Sequence, residues 1–226
     1  MYFKPFIKPF CLLCTALHSN FFGLCDGCIN DLPWHNAPQC PQCGLLSNGL
    51  TCGNCLHAIP HFDATHALFT YDYPINGLLQ HYKYREMIHL AHTFSGLLHQ
   101  RKLSTFIQNI DVIIPMPMHH QRLKERGFNQ ALELARLLSR KMGITLDYKN
   151  CQRIKLTPPQ ANLALKERTR NIRGVFECKK NFQGQRIALV DDVMTTGASL
   201  NELAKTLKNS GAAHVECWVI ARTLPK

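Results

Sequence analysis

Eight of the eleven cysteines fall between Cys11 and Cys55, in four C-x-x-C pairs: Cys11/Cys14, Cys25/Cys28, Cys40/Cys43 and Cys52/Cys55. A C-x-x-C turn presents two thiolates to one ion, and a tetrahedral zinc site takes four such ligands, so the pattern fits two zinc sites. Gly23, Gly27, Gly44 and Gly53 stand beside the pairs, where tight turns favour positive φ. The rest of the stretch is poor in apolar residues, and a segment of ~45 residues with so little core needs a staple. A disulfide framework would suit a secreted chain, and no secretion signal is visible. Four copies of the turn argue for structure over redox chemistry. The favoured pairing is sequential, Cys11, Cys14, Cys25 and Cys28 in one site and Cys40, Cys43, Cys52 and Cys55 in the other; cross-bracing is the alternative. His18, His35 and His57 are read as ordinary polar residues, and Cys151, Cys178 and Cys217 as small apolar ones.

The remaining chain, of 226 residues in all, is long enough for one well-buried α/β domain. The expected division is a zinc module over residues 1–60 and an α/β domain over 61–226, with separate cores, so that Cys25→Ser would unfold the module and spare the rest. No apolar run approaches the ~18–20 residues of a membrane span, and the N-terminus has no signal-peptide core, so a cytoplasmic protein is expected. The formal net charge is +11, while residues 1–60 sum to zero. The whole excess therefore belongs to the second part, which favours anionic partners: phosphates, nucleotides or nucleic acid.

The pattern of the second part predicts alternating strands and helices. Strands are expected at 64–72, 111–114, 144–149, 187–190 and 214–221. Helices are expected from 75, over 87–107 and 128–142, and over 197–209, with Gly143 and Gly211 as terminators. His81, His89, His92 and His99 are read as a partly exposed helix face. The alternation implies a doubly wound parallel sheet, in which ligands bind at the carboxyl ends of the strands.

At one such end stands Val190-Asp191-Asp192-Val193-Met194-Thr195-Thr196-Gly197-Ala198-Ser199. Two adjacent carboxylates suit a ribose cis-diol, since each accepts a hydroxyl proton, and they also suit Mg²⁺. Thr195, Thr196, Gly197, Ala198 and Ser199 then lead into a helix, whose hydroxyls and N–H groups form a phosphate cradle. Diol ligands followed at once by phosphate ligands fit a sugar 5-phosphate. Asp–Asp or Thr–Gly alone would be weak; the ordered combination is specific.

This stretch resembles the phosphoribosyl pyrophosphate (PRPP) motif of type I phosphoribosyltransferases, and the whole chain resembles the ComF/GntX family of competence-associated proteins. The likeness runs in order through the C-x-x-C pairs, Leu32-Pro33-Trp34, Cys40-Pro41-Gln42-Cys43-Gly44, Lys83-Tyr84-Arg85, Pro115-Met116-Pro117, Arg126-Gly127-Phe128-Asn129-Gln130, Gln160, Arg168 and Asn171 to the PRPP loop. It implies a zinc module on a phosphoribosyltransferase-like domain that binds Mg-PRPP. It also implies action on incoming single-stranded DNA in the cytosol during natural transformation, with other DNA-uptake proteins as partners. The alternative is a phosphoribosyltransferase of nucleotide metabolism; no stretch identifies an acceptor or a catalytic residue.

Two further loops fit that resemblance. Met116, Arg122, Lys124 and Arg126 are candidates to face the pyrophosphate; Gln160 and Arg168 lie in a stretch similar to the flexible lid of amidophosphoribosyltransferases. Residues 149–186 carry a net charge of +8, more than a lid needs. Lys166, Arg170, Arg173, Lys179 and Lys180 are therefore DNA-binding candidates; Phe176 and Phe182 are nearby candidate stacking platforms, with a place in the core as the favoured reading.

Overall fold

A computed structural model describes residues 10–17, 22–84, 87–103, 110–157 and 172–225. In chain order its elements are α1 (Asp26–Asn30), α2 (Gly53–His57), β1 (Ala64–Thr70), α3 (Ile75–Tyr84), α4 (Leu90–Leu98), a π-helical turn (His99–Leu103), β2 (Val112–Pro115), α5 (His120–Arg126), α6 (Gln130–Met142), β3 (Thr145–Leu146), β4 (Cys151–Arg153), β5 (Phe176–Cys178), β6 (Arg186–Met194), α7 (Ala198–Asn209) and β7 (His214–Arg222). The five-stranded sheet has the order β1-β7-β6-β2-β3, and every pairing in it is parallel. The antiparallel pair β4/β5 stands apart from it.

Side-chain alternation divides the core into two layers. Ala188, Val190, Trp218 and Ile220 face one side, where Leu134, Ala135 and Leu138 of α6 and the apolar residues of α3 and α4 cover them. Ile187, Leu189, Cys217 and Val219 face the other, under Leu200, Leu203, Ala204 and Leu207 of α7. Helices on both faces of a parallel sheet make the doubly wound architecture that the sequence implies.

Local chemistry sets the element ends. Asn129 Oδ1 accepts from Ala131 N–H at 3.0 Å and Leu132 N–H at 3.4 Å, so α6 begins after it; Gly143, at φ 67°, ends it. The strand expected over 144–149 stops at Leu146 because Asp147 Oδ1 accepts from Lys149 N–H and Asn150 N–H at 3.3 and 3.1 Å and turns the chain. The helix expected over 87–107 is α4 and the π-helical turn, and residues 104–107 lie outside the described residues. β6 continues through Asp191 and Asp192 to Met194, which pairs with Arg222, so both acids sit on the strand itself. No helix among the described residues is long and apolar enough to cross a membrane.

The expectation of separate cores is overturned. Cys11, Leu24, Ile29 and Leu32 belong to the same buried cluster as Phe69, Phe94 and Trp218, while Cys40, Cys43 and Cys55 belong to the cluster under α7. The cysteine-rich segment thus straddles the edge strand β1, with one half on each face of the sheet. Between the halves, Thr70 N–H donates to Pro33 O at 2.8 Å and His35 N–H to Leu68 O at 3.0 Å, which covers the open edge of β1. Trp34 packs on Phe69 with ring centroids 4.8 Å apart and donates from Nε1 to Ile29 O at 2.8 Å. The physical reason is area: a short segment buries little by itself and gains by sharing apolar surface with the larger domain.

Candidate ribose-phosphate site and cysteine clusters

The carboxyl ends of β6 and β2 and the start of α6 enclose a cavity of about 180 Å³, lined among others by Lys83, Met116, Arg126, Arg153, Asp191 and Asp192. Asp192 is buried and Asp191 half-buried. Lys83 Nζ lies 2.9 Å from Asp192 Oδ2, yet Oδ2 makes no well-angled hydrogen bond, so the contact is an ion pair that leaves acceptor capacity to spare. Burial alone would lower the Lys83 ammonium; the Asp192 charge outweighs it and holds the pKa above its ordinary value. The Asp191 carboxyl goes the other way. Burial and then the neighbouring Asp192 charge push it up to about 7, against the opposing pull of Asp192 N–H, which donates to Asp191 Oδ1 at 2.9 Å. The two crowded acids thus share the cavity with Lys83, Arg126 and Arg153, a lining rich in both acceptors and cations.

The loop that follows turns sharply into α7. Gly197 has φ 78°, a conformation that L side chains rarely adopt, and a Cβ there would stand 2.7 Å from Met194 Cε. Thr196 Oγ1 accepts from Ala198 N–H at 3.3 Å at the start of α7, a helix of 12 residues, and Ser199 reaches the cavity wall. Thr195 is exposed, Thr196 and Ala198 half-buried.

Of the residues proposed to face pyrophosphate, Met116 and Arg126 line the cavity. Arg122 and Lys124 lie on α5 outside its lining; Arg122 Nη1 pairs with Glu125 Oε2 at 3.1 Å. Gln160, Lys166, Arg168 and Arg170 fall outside the described residues. Lys83, Arg153, Asn129 and Gln130 also line the cavity, and residue-by-residue reading did not single them out as site residues. The sequence signals were the Lys83–Arg85 and Arg126–Gln130 motifs for Lys83, Asn129 and Gln130, and the basic stretch 149–186 for Arg153. Asn129 Nδ2 donates to Met116 O at 3.1 Å, fixing the loop after β2.

Among the DNA-binding candidates, Arg173, Lys179 and Lys180 are exposed. Phe176 and Phe182 are buried core residues, as the favoured reading of them has it, and are closed to any base. The exposed ring in this region is Tyr148, at 43% exposure, with Arg136 Cζ and Lys149 Nζ 5.1 and 5.6 Å from its centroid. It borders a groove of about 340 Å³ that Lys149 and Lys180 also line. The only acid of that lining, Asp147, is buried and engaged by Asn150 Nδ2 at 2.8 Å and Lys180 at 3.9 Å.

The eight paired cysteines gather in the sequential arrangement. In each quartet, Cys11, Cys14, Cys25, Cys28 and Cys40, Cys43, Cys52, Cys55, all four sulfurs lie within 4.8 Å of one another. Backbone N–H groups of Cys25 and Cys52 point at the sulfurs of Cys11 and Cys40, at 3.4 and 3.3 Å. Burial opposes ionisation of these two thiols, but the N–H groups outweigh it and bring them down to about 6 and about 7. Burial and the neighbouring thiols raise Cys28, Cys43 and Cys55 instead. Four thiolates cannot share so small a volume without a cation, and the set fits structural zinc.

The second quartet is tied to the loop between β6 and α7. Arg222, at the end of β7 and 3% exposed, donates from Nε to Cys43 O at 2.8 Å. Its Nη1 donates to Met194 O and Thr223 O, each at 3.0 Å, and to Thr195 O. Thr65 Oγ1 donates to Gln42 O at 2.6 Å from the same side.

Two family descriptions match these two regions: a double zinc ribbon domain over residues 6–56 and a phosphoribosyl transferase domain over residues 122–224. Competence protein F of Haemophilus influenzae is 34% identical over 222 residues, covering 94% of this chain and 96% of the relative. The DNA utilization protein YhgH of Salmonella typhimurium is 33% identical over 225 residues, covering 96% and 99%. Competence protein ComFC of Bacillus subtilis is 27% identical over 237 residues, covering 96% of each chain. With a double zinc ribbon ahead of a phosphoribosyl transferase domain, and kinship over nearly the full length, the chain belongs to the family of competence protein F and YhgH.

Proposed function

We propose that the protein binds magnesium PRPP at the ends of β6 and β2, and that it handles incoming single-stranded DNA in natural transformation. The Asp191–Asp192 pair, set directly before the Gly197 loop, carries the first half of this reading. Asp191 and Asp192 accept the two ribose hydroxyls, and the N–H groups at the start of α7 hold the 5-phosphate. Lys83, Arg126 and Arg153 surround the anionic end of the ligand. Magnesium fits the carboxylate oxygens of this corner; when bound it would offset the charge of the crowded acids. Support for the DNA half comes from the basic groove beside Tyr148, since single strands bind basic surfaces that offer an aromatic ring for stacking. The names of the two relatives, competence protein and DNA utilization protein, point the same way.

Calorimetric titration with PRPP and Mg²⁺ tests the first half. Asp191→Asn and Asp192→Asn should each weaken binding by about 1–3 kcal/mol, and Thr196→Ala by less, because the N–H groups remain. Wild-type protein that does not bind PRPP ends the reading. Pyrophosphate release with a panel of nucleobases distinguishes a transferase from a protein that only binds the ligand.

A further inference from the structure

Arg222 carries a buried cation into a place where, among the described residues, no carboxylate stands within ion-pair distance. A buried charge of that kind needs both hydrogen-bond partners and a counter-charge. The partners are four backbone carbonyls drawn from three segments: Cys43 in the second cysteine quartet, Met194 and Thr195 at the start of the phosphate loop, and Thr223 after β7. The counter-charge is the quartet: four thiolates on one divalent zinc carry a net charge of about −2. The turn at Cys40–Gly44 is seated tightly on Thr65 and lies in van der Waals reach of the Arg222 side chain. Gly44 has φ 69°, and a Cβ there would stand 3.2 Å from Thr65 Cγ2 and 3.8 Å from Arg222 Cδ. The first quartet, in the other core layer, has no such link among the described residues.

We propose that Arg222 is a positioning residue that couples the second zinc cluster to the ribose-phosphate loop: with the cluster formed, the guanidinium pins the carbonyls of Met194 and Thr195 and thereby aims the N–H groups of residues 196–199. This rests on the reading of that loop as a sugar-phosphate site. Losing zinc from the second cluster frees the Cys43 turn and removes the counter-charge, so the loop loosens with it. Lysine keeps the charge but has a single nitrogen and cannot span the Cys43 carbonyl and the loop carbonyls together.

The test uses the full-length zinc-loaded protein and its Arg222→Met and Arg222→Lys variants, each checked for two zinc ions per chain. Ribose 5-phosphate and magnesium pyrophosphate are titrated separately. Arg222→Met should lose about tenfold or more in ribose 5-phosphate affinity, the size of one buried hydrogen bond to a charged group, while pyrophosphate affinity stays the same. Arg222→Lys should fall between the two. Equal losses for both ligands mean a general structural role and overturn the positioning assignment. Hydrogen exchange, which needs no ligand, reads the coupling separately. Amides of residues 196–200 should exchange faster in either variant, and faster in the wild type once zinc is stripped from the second cluster. Unchanged exchange at those amides overturns the coupling, whereas a wild type that does not bind ribose 5-phosphate, with the exchange change present, defeats only the functional reading of the loop.

Discussion

Asp191 and Glu216 are both carboxylic acids held inside the protein, and their surroundings drive them in opposite directions. Burial pushes Asp191 up to about 7 and Asp192 adds to it. Burial pushes Glu216 up as well, but His66, Trp218 and His214 overcome it and hold the group at about 2: His66 Nε2 lies 3.3 Å away, Trp218 Nε1 donates at 3.1 Å, and His214 Nε2 lies 3.0 Å away. For Asp191 the folded pKa lies above the ordinary 3.8, so the native state binds more protons between those values. Its contribution to stability is fully present below about 4 and is lost as pH rises through about 7. Glu216 has a folded pKa below its ordinary 4.5. Its contribution is present above about 4.5 and is lost as pH falls towards 2. Ligand-free protein should therefore differ from its variants in opposite directions at neutral and alkaline pH. Asp191→Asn should raise the stability at pH 8 relative to wild type, by an amount on the order of 2 kcal/mol, and change it little near pH 4. Glu216→Gln should lower it most near neutral pH. Thermal melts across pH 4–8 measure both differences; a stabilised Asp191→Asn that also loses PRPP binding would mark Asp191 as strained for function.

At the scale of elements, the strand–loop–helix unit β6–α7 was legible because every signal in it is local: an apolar run, two acids, then hydroxyls and a glycine in one continuous stretch. Its boundary was misjudged because pairing with β7 as far as Arg222 extends β6 past the acids. The helix α5 gave no signal, since it buries no side chain and so has no apolar period to read. β4 and β5 have three residues each and pair across a long intervening segment, too short and too distant for any pattern to show. Lys83 escaped for a related reason: its partner, Asp192, lies five strands later in the chain, and only the fold brings them together. Tyr148 escaped because nothing in Leu146-Asp147-Tyr148-Lys149 says that Asp147 will turn the chain and leave the ring at the surface between Arg136 and Lys149. That placement separates two components of DNA binding. Tyr148→Ala should weaken binding of a labelled oligothymidylate by about 1–3 kcal/mol with the salt slope unchanged, and Tyr148→Phe should not. Lys179→Ala with Lys180→Ala should reduce the slope, by about 0.7 for each phosphate no longer neutralised, and leave PRPP binding intact. Anisotropy titrations at several salt concentrations read both; no binding at low salt removes the DNA reading.

For the molecule as a whole, the sharing of cores changes what the cysteine clusters are for. A module with its own core would melt alone; a segment whose Cys11, Leu24, Ile29 and Leu32 pack with Phe69, Phe94 and Trp218 cannot leave without exposing the sheet. Each fully buried aliphatic side chain among these stands for about 1.5–3 kcal/mol, so their joint loss is comparable to the whole stability of an ordinary domain. Cys25→Ser is thus expected to destabilise the entire chain, where separate cores would have confined the damage. The protein carries its own reporters. It has two tryptophans, Trp34 between the cysteine quartets and Trp218 in the centre of β7. Single-tryptophan variants, Trp34→Phe and Trp218→Phe, allow each region to be followed by fluorescence on heating. The two melting curves should coincide in zinc-loaded protein, and both should shift down together on chelation. At about 2–4 °C per kcal/mol for a chain of this size, loss of several kcal/mol of zinc binding should move them by on the order of 10 °C. Trp34→Phe must be checked for its own cost, because its indole Nε1 bonds Ile29 O and its ring packs on Phe69; Cys25→Ser with both tryptophans present gives the same comparison through near-ultraviolet dichroism. A Trp34 transition that precedes a Trp218 transition by many degrees would show that the ribbon folds independently, and the shared core would then contribute far less than its burial implies.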